Sequence, residues 1–395
     1  LNGWYLTDSA GDLTKWQFPD VTLPANGFLI VFASGKDRAV PGSELHANFQ
    51  LASDGEFLAL VSPSLTVADQ FSPSYPEQFP DITYGNSGVS ATRGFLGAAT
   101  PGAANGSTSL FGSNNISFST GRGFYSSPVS VSLSAAVPGS TIRYTLNGSA
   151  PTATTGTVYS APISIDGVSG ATTSGSRGTT TLRAIAIHDD AAIAPVETHS
   201  YFFVSEVVSQ SVMDTRITNH PTYGPLMQPA LLSVPTVSIV RGGAFGTGVT
   251  VTSVEFIDPS GGEPGFQVDC GFKRVGAHTL GAYPKNTLRL YFRSQYGKSK
   301  LSYPLFEGQP LCEGAASEFD RLHLRSGSHD SVFYLGTGAQ ARDASYARNR
   351  WIGDVQKLMG HETLHGRWCQ VYIDGSYHGH YQIMERASTG YFPPY

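Results

Sequence analysis

Short apolar runs recur along the first two hundred residues, and turn-forming residues separate them. The runs at 27–32 and 56–61 are bounded by Pro, Gly, Asn, Asp and Ser, and neither belongs to a pattern with the 3.6-residue period of a helix. Short runs between turn residues are typical of strands in an antiparallel sandwich. We therefore predict a β-rich first domain over residues 1–90.

Strict alternation is the main feature of the next segment. Positions 129, 131 and 133 are apolar with serine between them, and the runs at 142–146 and 181–187 repeat the period of two. Asn147-Gly148 is a strong turn signal between two strands. We predict a small β-sandwich over residues 116–204. The preceding residues 91–115 contain the stretch AATPGAANG and are predicted to be a linker, so we expect small interfaces between the segments.

The third segment, residues 205–395, combines strands with a helix. The runs at 251–257, 266–275 and 288–293 are predicted strands. Farther along, apolar residues at 347, 351, 355 and 358 form one stripe of a helix. With Asp343 as N-cap and Gly360 just after its end, this helix is predicted to span residues 344–359.

A β-hairpin follows the predicted helix. Its strands are expected at 368–373 and 377–384, joined by the turn Asp374-Gly375. The order of strands, helix and strands predicts an α+β domain, unlike the two sandwiches before it. The whole chain is therefore predicted to be a mainly β, multidomain protein, with two immunoglobulin-like β-sandwiches followed by an α+β domain.

Composition supports folded domains and excludes some partners. The 395 residues are 40% hydrophobic and 11% aromatic, which argues against wholesale disorder and allows two or three domains. The net charge of −5 argues against a nucleic-acid partner. No run approaches the roughly 18 apolar residues of a membrane helix, so we expect no integral membrane segment. The chain opens without Met or a signal segment, so we expect a fragment.

The three cysteines, Cys270, Cys312 and Cys369, form no C-x-x-C pair. Such a sparse, odd-numbered set indicates neither a disulfide framework nor a structural zinc site. Cys270 and Cys369 lie in predicted strands beside apolar or aromatic residues, and free cysteine is among the most buried residue types. We predict three free thiols.

The first two segments resemble accessory modules. Residues 1–8 (LNGWYLTD), 15–18 (KWQF) and 28–36 (FLIVFASGK) resemble the second half of a lamin-tail domain, an immunoglobulin-like sandwich whose opening strands would precede Leu1. Residues 139–152 (GSTIRYTLNGSAPT) and Leu182-Arg183-Ala184 resemble the chitobiase/β-hexosaminidase C-terminal type domain. Neither motif is a catalytic signature.

The third segment is similar to the spore-coat CotH family of atypical protein kinases. Three motifs carry this resemblance, namely 298–306 (KSKLSYPLF), 319–330 (FDRLHLRSGSHD) and 371–379 (VYIDGSYHG). It implies the N-terminal lobe of a kinase-like fold, and for the full-length protein ATP, Mg²⁺ and a protein phospho-acceptor. It also implies a secreted or surface-associated bacterial protein, because such proteins join lamin-tail, chitobiase-type and CotH domains.

The resemblance assigns four ligand-binding residues. Lys285 corresponds to a family lysine on the strand after the phosphate-covering turn, and Asn286 occupies the place of a second lysine. The turn itself comprises Gly276 preceded by Arg274, with His278-Thr279 where serines are usual. Glu385 corresponds to the linker between kinase lobes, where Ala387 replaces a proline.

Kinase chemistry also needs a base and metal-binding carboxylates. In the CotH family these lie beyond the position of Glu385, and residues 386–395 contain neither Asp nor Glu. No catalytic or metal-binding residue is therefore assigned. We expect this chain to bind nucleotide weakly without transferring phosphate.

Two alternatives remain open. His361-Glu362-Thr363-Leu364-His365 fits the H-E-x-x-H pattern of zinc proteases, with Glu385 as a conceivable third ligand. Gly360 is expected to end the helix just before it, however, so the two histidines should not share a helical face. The second alternative is a non-catalytic adhesive protein of the cell surface that binds glycans or other proteins through its sandwich modules.

Overall fold

The structure is a computed structural model that describes residues 1–79, 82–88, 92–96, 98–112, 115–168, 174–241, 248–276, 285–327, 330 and 343–386. The chain forms two compact units, Leu1–Phe111 and Gly112–Tyr395. Three positions discussed above, His278, Thr279 and Ala387, lie outside the described residues. The described fold is mainly β in both units, as the alternation of apolar and polar residues predicts.

In its described residues, the first unit forms eight short strands around an aromatic core. β1, β2, β5 and β6 form an antiparallel sheet in the order β2-β1-β5-β6. β3 pairs with β4 in parallel, and β7 pairs with β8. Trp16, Phe18, Leu45 and Phe49 are buried between these elements. The strands are β1 Tyr5–Thr7, β2 Trp16–Gln17, β3 Val31–Phe32, β4 Leu45–His46, β5 Leu58–Val61, β6 Val67–Phe71, β7 Thr83–Asn86 and β8 Arg93–Leu96.

One predicted strand of this unit is mostly not a strand. Of the apolar run at 27–32 only Val31–Phe32 pairs with a neighbour. Phe28 and Ile30 are 53% and 45% exposed. The run is apolar enough for a buried strand, but no described element covers this part of it. The run at 56–61 does form the predicted strand, as β5.

The second unit begins with a β-sandwich. Its larger sheet has the order β10-β18-β16-β13-β14, with β17 beside β16, and it faces the pairs β11-β15 and β12-β9 across an apolar core. The strands are β9 Ile116–Phe118, β10 Gly123–Phe124, β11 Val129–Val131, β12 Leu133–Ala135, β13 Thr141–Thr145, β14 Thr157–Val158, β15 Ile163–Ile165, β16 Thr179–His188, β17 Ala191–Ala192 and β18 Glu197–Phe202. The predicted sandwich strands are thus confirmed.

A closed barrel of seven strands forms the rest of this unit. The strands follow the order β19-β20-β21-β22-β25-β27-β26, and β26 closes the barrel by pairing with β19 in parallel. A short pair, β23 and β24, lies outside this order. The strands are β19 Thr236–Val240, β20 Thr250–Ile257, β21 Phe266–Val275, β22 Thr287–Tyr291, β23 Leu301–Ser302, β24 Glu318–Phe319, β25 Arg321–Arg325, β26 Gly366–Ile373 and β27 Ser376–Met384.

The two ends of the barrel differ. At one end, which we call the rim, β19, β21 and β25 end, β20 and β22 begin, and Asp374-Gly375 turns β26 into β27. At the opposite end, the base, residues from 301–319 join the barrel core. These residues are Leu301, Leu305, Phe306, Cys312 and Phe319. The core at the base is therefore filled by apolar side chains, whereas Lys285 and the residues around it, discussed below, lie at the rim.

The sandwich and the barrel share a buried polar and aromatic interface. The carboxylate of Glu255, on β20, is fully buried and lies 3.1 Å from Arg122 of the sandwich. It also accepts a hydrogen bond from the backbone N–H of Ser200 at 3.1 Å. The rings of Phe202 and Tyr372 lie 4.6 Å apart. The expectation of small interfaces between all segments is therefore wrong for the sandwich and the barrel. Arg122 and Glu255 are far apart in sequence, so no local pattern indicates their contact.

Short helices connect the sandwich to the barrel, and one longer helix follows β25. Helices α1 Val204–Val207, α2 Thr215–Thr218 and α3 Met227–Leu231 lie in the connection, with a 3₁₀ turn at Gly224–Leu226. A further 3₁₀ turn, Ser174–Ser176, lies within the sandwich between β15 and β16. Helix α4 spans Arg348–Leu358. Gly360 follows it with a φ of 84°, as predicted for a residue just past a helix end. No helix in the described part of the chain is long and apolar enough to cross a membrane.

Helix α4 differs from its prediction in two respects. It begins four residues later than expected, and Asp343 does not cap it. Instead, the carboxylate of Asp330 accepts hydrogen bonds from the backbone N–H groups of Ser345 and Arg348, at 2.9 and 3.0 Å. The apolar stripe is also not buried, since Trp351 is 66% and Leu358 73% exposed.

Candidate functional site

Lys285 is the central charged group at the rim. Its ammonium donates a hydrogen bond to the backbone carbonyl of His380. It also lies 4.5 Å from the ring centre of Tyr381 and 5.4 Å from that of Tyr346. The ring face of an aromatic residue attracts a cation, so both rings stabilise the ammonium at this position.

Two neighbouring residues fix where Lys285 lies. The hydroxyl of Tyr381 donates to the backbone carbonyl of Asn286 at 2.9 Å, which holds the chain just after the lysine. Gly379 has a φ of 120°, and a Cβ at that position would lie 3.1 Å from the Lys285 Cε. A larger residue at 379 would therefore displace the lysine side chain as well as strain the backbone.

The surroundings of Lys285 disfavour its charge. Burial lowers the pKa of Lys285 to about 8. No Asp or Glu side chain is among the partners found for this ammonium in the described residues. The undescribed stretches between 112 and 395 contain no Asp or Glu at all. Near neutral pH, Lys285 is therefore mostly protonated and has no carboxylate partner among the described residues.

The histidines beside Lys285 are neutral at physiological pH. Burial, followed by the charge of Lys285, lowers the pKa of both His378 and His380 to about 4. The His380 ring stacks on Trp368 at 4.9 Å, and the His378 ring stacks on Tyr381 at 6.0 Å. Because the charge of Lys285 acts on both imidazoles, both histidine rings lie near the cation.

Two arginines contribute further positive charge. Burial and the charge of Lys285 are the two largest causes of the lowered pKa of His378, and the charges of Arg241 and Arg274 lower it further. The guanidinium groups of these two arginines therefore lie near His378. Arg241 forms an ion pair with Asp374, whose carboxylate also accepts the Arg241 backbone N–H at 2.7 Å. Gly276, just past the end of β21, has a φ of 126° that favours glycine. Lys285, Arg274 and Gly276 therefore share the rim.

Glu385 lies elsewhere. It follows β27 at the base, five residues beyond His380, which corresponds to about 17 Å along a strand. Its carboxylate accepts hydrogen bonds from the backbone N–H and the Nδ1 of His365, both at 2.8 Å. Its side chain is 3% exposed. The structure thus brings together three of the four predicted ligand-binding residues and separates the fourth from them.

The zinc-protease pattern does not form its site in this fold. Residues 361–365 have no helical structure, so His361 and His365 are not one helical turn apart. His365 is buried against Glu385, whereas His361 is exposed. Within the described ranges, no group of three His, Cys, Asp or Glu side chains is arranged to hold a metal ion.

The cysteines are placed as the sequence predicts. Cys270, Cys312 and Cys369 are all free and buried. Burial raises the pKa of Cys270 well above its usual value and that of Cys369 to about 12. The thiols therefore belong to the hydrophobic core.

Sequence reasoning missed the aromatic side of the rim. Tyr381 and His378 lie within the predicted hairpin, and Tyr346 was placed only in a predicted helix. The family motif 371–379 ends at Gly379, next to these residues, but it gives no sign that the hairpin passes beside Lys285. Closure of the barrel brings the hairpin residues beside Lys285, and Tyr346 reaches it from the segment before helix α4. Local periodicity reveals neither contact.

The comparisons with known proteins identify one part of the chain. Residues 131–201 match the family model described as Fn3 associated. This stretch corresponds to most of the sandwich at the start of the second unit, and it agrees with a β-sandwich domain there. The comparison with curated proteins gave no match.

Proposed function

We propose that the barrel binds a nucleotide at its rim, as the ATP-binding half of a kinase-like protein of the CotH type. The observation that carries the proposal is the Lys285 ammonium, which has a carbonyl and two aromatic rings around it and no carboxylate partner among the described residues. A lysine bound only in this way retains the capacity to bind an anion. The neutral rings of His378 and His380, both near Lys285, offer stacking surfaces for a base.

The expected affinity is low. A hydrogen bond to a charged group contributes about 1.5–3 kcal/mol. One or two such contacts from Lys285 and the backbone near Gly276 correspond to roughly millimolar binding. Phosphate transfer would further require carboxylates for Mg²⁺ and a base. At the rim Asp374 is already paired with Arg241, and Asp330 is bound to the start of helix α4. We therefore propose binding of ATP without transfer by these residues.

Equilibrium titration with ATP and with tripolyphosphate tests this proposal. Lys285→Met should weaken the binding of both ligands about tenfold or more, since it removes one charged contact. Lys300→Met is the matched control, because Lys300 is an exposed lysine paired with Glu318 at 3.0 Å. Equal affinity in wild type and Lys285→Met would exclude the rim as the phosphate site.

We also propose an assignment for the other domains and for the location of the protein. The first unit would be part of a lamin-tail domain and the sandwich a chitobiase-type module, which together with a CotH-like domain favour a bacterial protein that is secreted or attached to the cell surface. In the intact protein the substrate would be a protein phospho-acceptor, with ATP and Mg²⁺ as cofactors. Transfer of radiolabelled phosphate by the longer protein, and not by this chain, would support this reading.

One observation favours the adhesive alternative. Four large apolar residues of the first unit, Phe28, Leu29, Ile30 and Phe32, are each at least 39% exposed within five consecutive positions. Contiguous exposed apolar side chains commonly mark interaction sites. If the protein is adhesive, Phe28→Ser with Ile30→Ser should reduce its retention on cell-wall or glycan supports, and Lys285→Met should have no effect on retention.

A further inference from the structure

A second group of cations lies on the outer face of the barrel, away from the core. β22 and β25 pair so that Arg289 lies opposite His323, and the side chains of Arg321 and Arg325 flank His323 on the same face. Arg386, just past β27, approaches the same imidazole. We call Arg289, Arg321, Arg325 and Arg386 the guanidinium cluster.

His323 acts as a neutral centre of this cluster. Its Nε2 accepts a hydrogen bond from the Nε of Arg289 at 2.6 Å and lies 3.5 Å from a terminal nitrogen of Arg386. Burial, followed by the charges of the four arginines, lowers the pKa of His323 to about 3. The imidazole therefore adds no charge at neutral pH, and its Nε2 serves as an acceptor between two guanidinium groups.

The positive charges are poorly compensated within the chain. Arg321 is paired with Asp320 at 2.6 Å. The other contacts of the cluster are to neutral groups, since Arg289 donates to His323 and to the hydroxyl of Tyr291 at 3.0 Å. The side chain of Arg325 is half-buried and has no hydrogen bond or ion pair with any described residue, and burial lowers its pKa. Because the undescribed residues of this unit include no Asp or Glu, no further side-chain carboxylate is available from them.

The four guanidinium groups repel one another, and the carboxylate of Asp320 offsets only one of their charges. A bound anion would reduce this repulsion. The guanidinium group has a planar array of donors that matches the oxygens of phosphate. Most of these donors in Arg289, Arg325 and Arg386 have no partner among the described residues. Arg325 in particular can turn toward a ligand without breaking a side-chain hydrogen bond or ion pair to any residue that the structure describes.

We propose that the guanidinium cluster binds a phosphate dianion on the outer face of β22 and β25. A dianion would offset two of the three uncompensated charges and accept hydrogen bonds from two or more arginines at once. The site does not depend on the ATP site at the rim, because Lys285 is not part of it. A free phosphate ion and a phosphate carried by a protein partner present the same chemistry to the cluster.

Equilibrium dialysis with radiolabelled inorganic phosphate, at constant ionic strength, tests the site in the full chain. Wild type should bind one phosphate, and Arg325→Gln should weaken binding about tenfold or more. Arg325→Lys, which keeps the charge and loses the planar donor array, should fall between the two. Arg143→Gln is the control, since Arg143 is an arginine of the sandwich that donates to a backbone carbonyl.

Three further arms decide the interpretation. Lys285→Met should leave phosphate binding unchanged, whereas it weakens ATP binding if the rim proposal holds, so the two proposals fail separately. Competition by a phosphoserine peptide supports the site, and a peptide affinity above that of inorganic phosphate assigns the ligand to a protein partner. Unchanged binding by Arg325→Gln, or equal competition by acetate at matched ionic strength, would overturn the proposal.

Discussion

The ammonium of Lys285 lies 4.5 Å from the ring centre of Tyr381, whose hydroxyl in turn holds the backbone carbonyl of Asn286. Lys285 lies just before β22, whereas Tyr381 lies in β27, almost a hundred residues later in the sequence. One aromatic residue thus orients the chain beside the lysine and also stabilises its charge. This arrangement leads to a measurable electrostatic property of the rim.

The stability of the protein should depend on the ionisation of Lys285. Its pKa is about 8 in the folded state, whereas a lysine in the unfolded chain has a pKa of about 10.4. Between these values the unfolded state binds more protons, so the contribution of Lys285 to stability rises with pH. In chemical denaturation, wild type should gain stability relative to Lys285→Met from pH 8 to 10, and Lys300→Met should show no such trend. A flat difference would show that the lysine is not desolvated.

The ion pair between sandwich and barrel should respond asymmetrically to substitution. Arg122→Leu leaves the fully buried Glu255 carboxylate without its counter-charge, and such a loss typically costs about 3–5 kcal/mol. Glu255→Gln instead removes the buried charge and keeps a hydrogen-bonding group, so it should cost about 1–3 kcal/mol. Urea denaturation measures both, with Arg143→Leu as an arginine control in the same sandwich. A greater loss for Glu255→Gln would contradict this account of the interface.

Helix α4 should depend on a cap from outside the helix. The hydrogen bonds from the backbone N–H groups of Arg348 and Ser345 outweigh the effect of burial and hold the pKa of Asp330 below its usual value. Asp330→Ala should therefore destabilise the protein by about 1–2 kcal/mol at pH 7. Because the folded pKa is lowered, this contribution is present above about pH 4 and is lost as the pH falls through the folded value. Glu362→Ala, at an exposed position, is the control, and an equal loss from both variants would refute the capping role.

The thiols should be unreactive until the protein unfolds. Cys270 and Cys369 are fully buried and Cys312 is 4% exposed, and the thiolate is the reactive form. We expect no reaction with a disulfide reagent in the native state and three equivalents in guanidinium chloride. Ser64→Cys, at an exposed turn position, should react at once. Rapid reaction of a native thiol would show that the barrel core opens readily.

The strands were predictable where the chemistry is local. Alternation identified β13 and β16, and Asp374-Gly375 forms the predicted turn with φ values of 46° and 78°. Gly360 ends helix α4 for the same local reason. The cap from Asp330 and the exposure of Trp351 depend on contacts between distant segments, and a local pattern carries no information about them.

The candidate site was predictable only in part for the same reason. Lys285, Gly276 and Arg274 flank one strand connection, so any fold that retains this connection keeps them near one another. Glu385 was assigned through a family motif, but pairing with His365 places it at the base of the barrel. Tyr381 reaches the lysine through closure of the barrel, and Tyr346 reaches it from the segment before helix α4. No spacing in the sequence indicates either contact.

The ionisation of Lys285 in the presence of ATP tests the central claim most directly. Lysines labelled with ¹³C by reductive methylation report their individual pKa values by NMR, and the Lys285 signal is identified by its absence in Lys285→Met. We expect a pKa near 8 without ligand and a rise of about one unit at saturating ATP, since one unit corresponds to about 1.4 kcal/mol of interaction with the charged form. A pKa near 10.4 without ligand, or a value that ATP leaves unchanged, would contradict the proposal that this lysine binds phosphate.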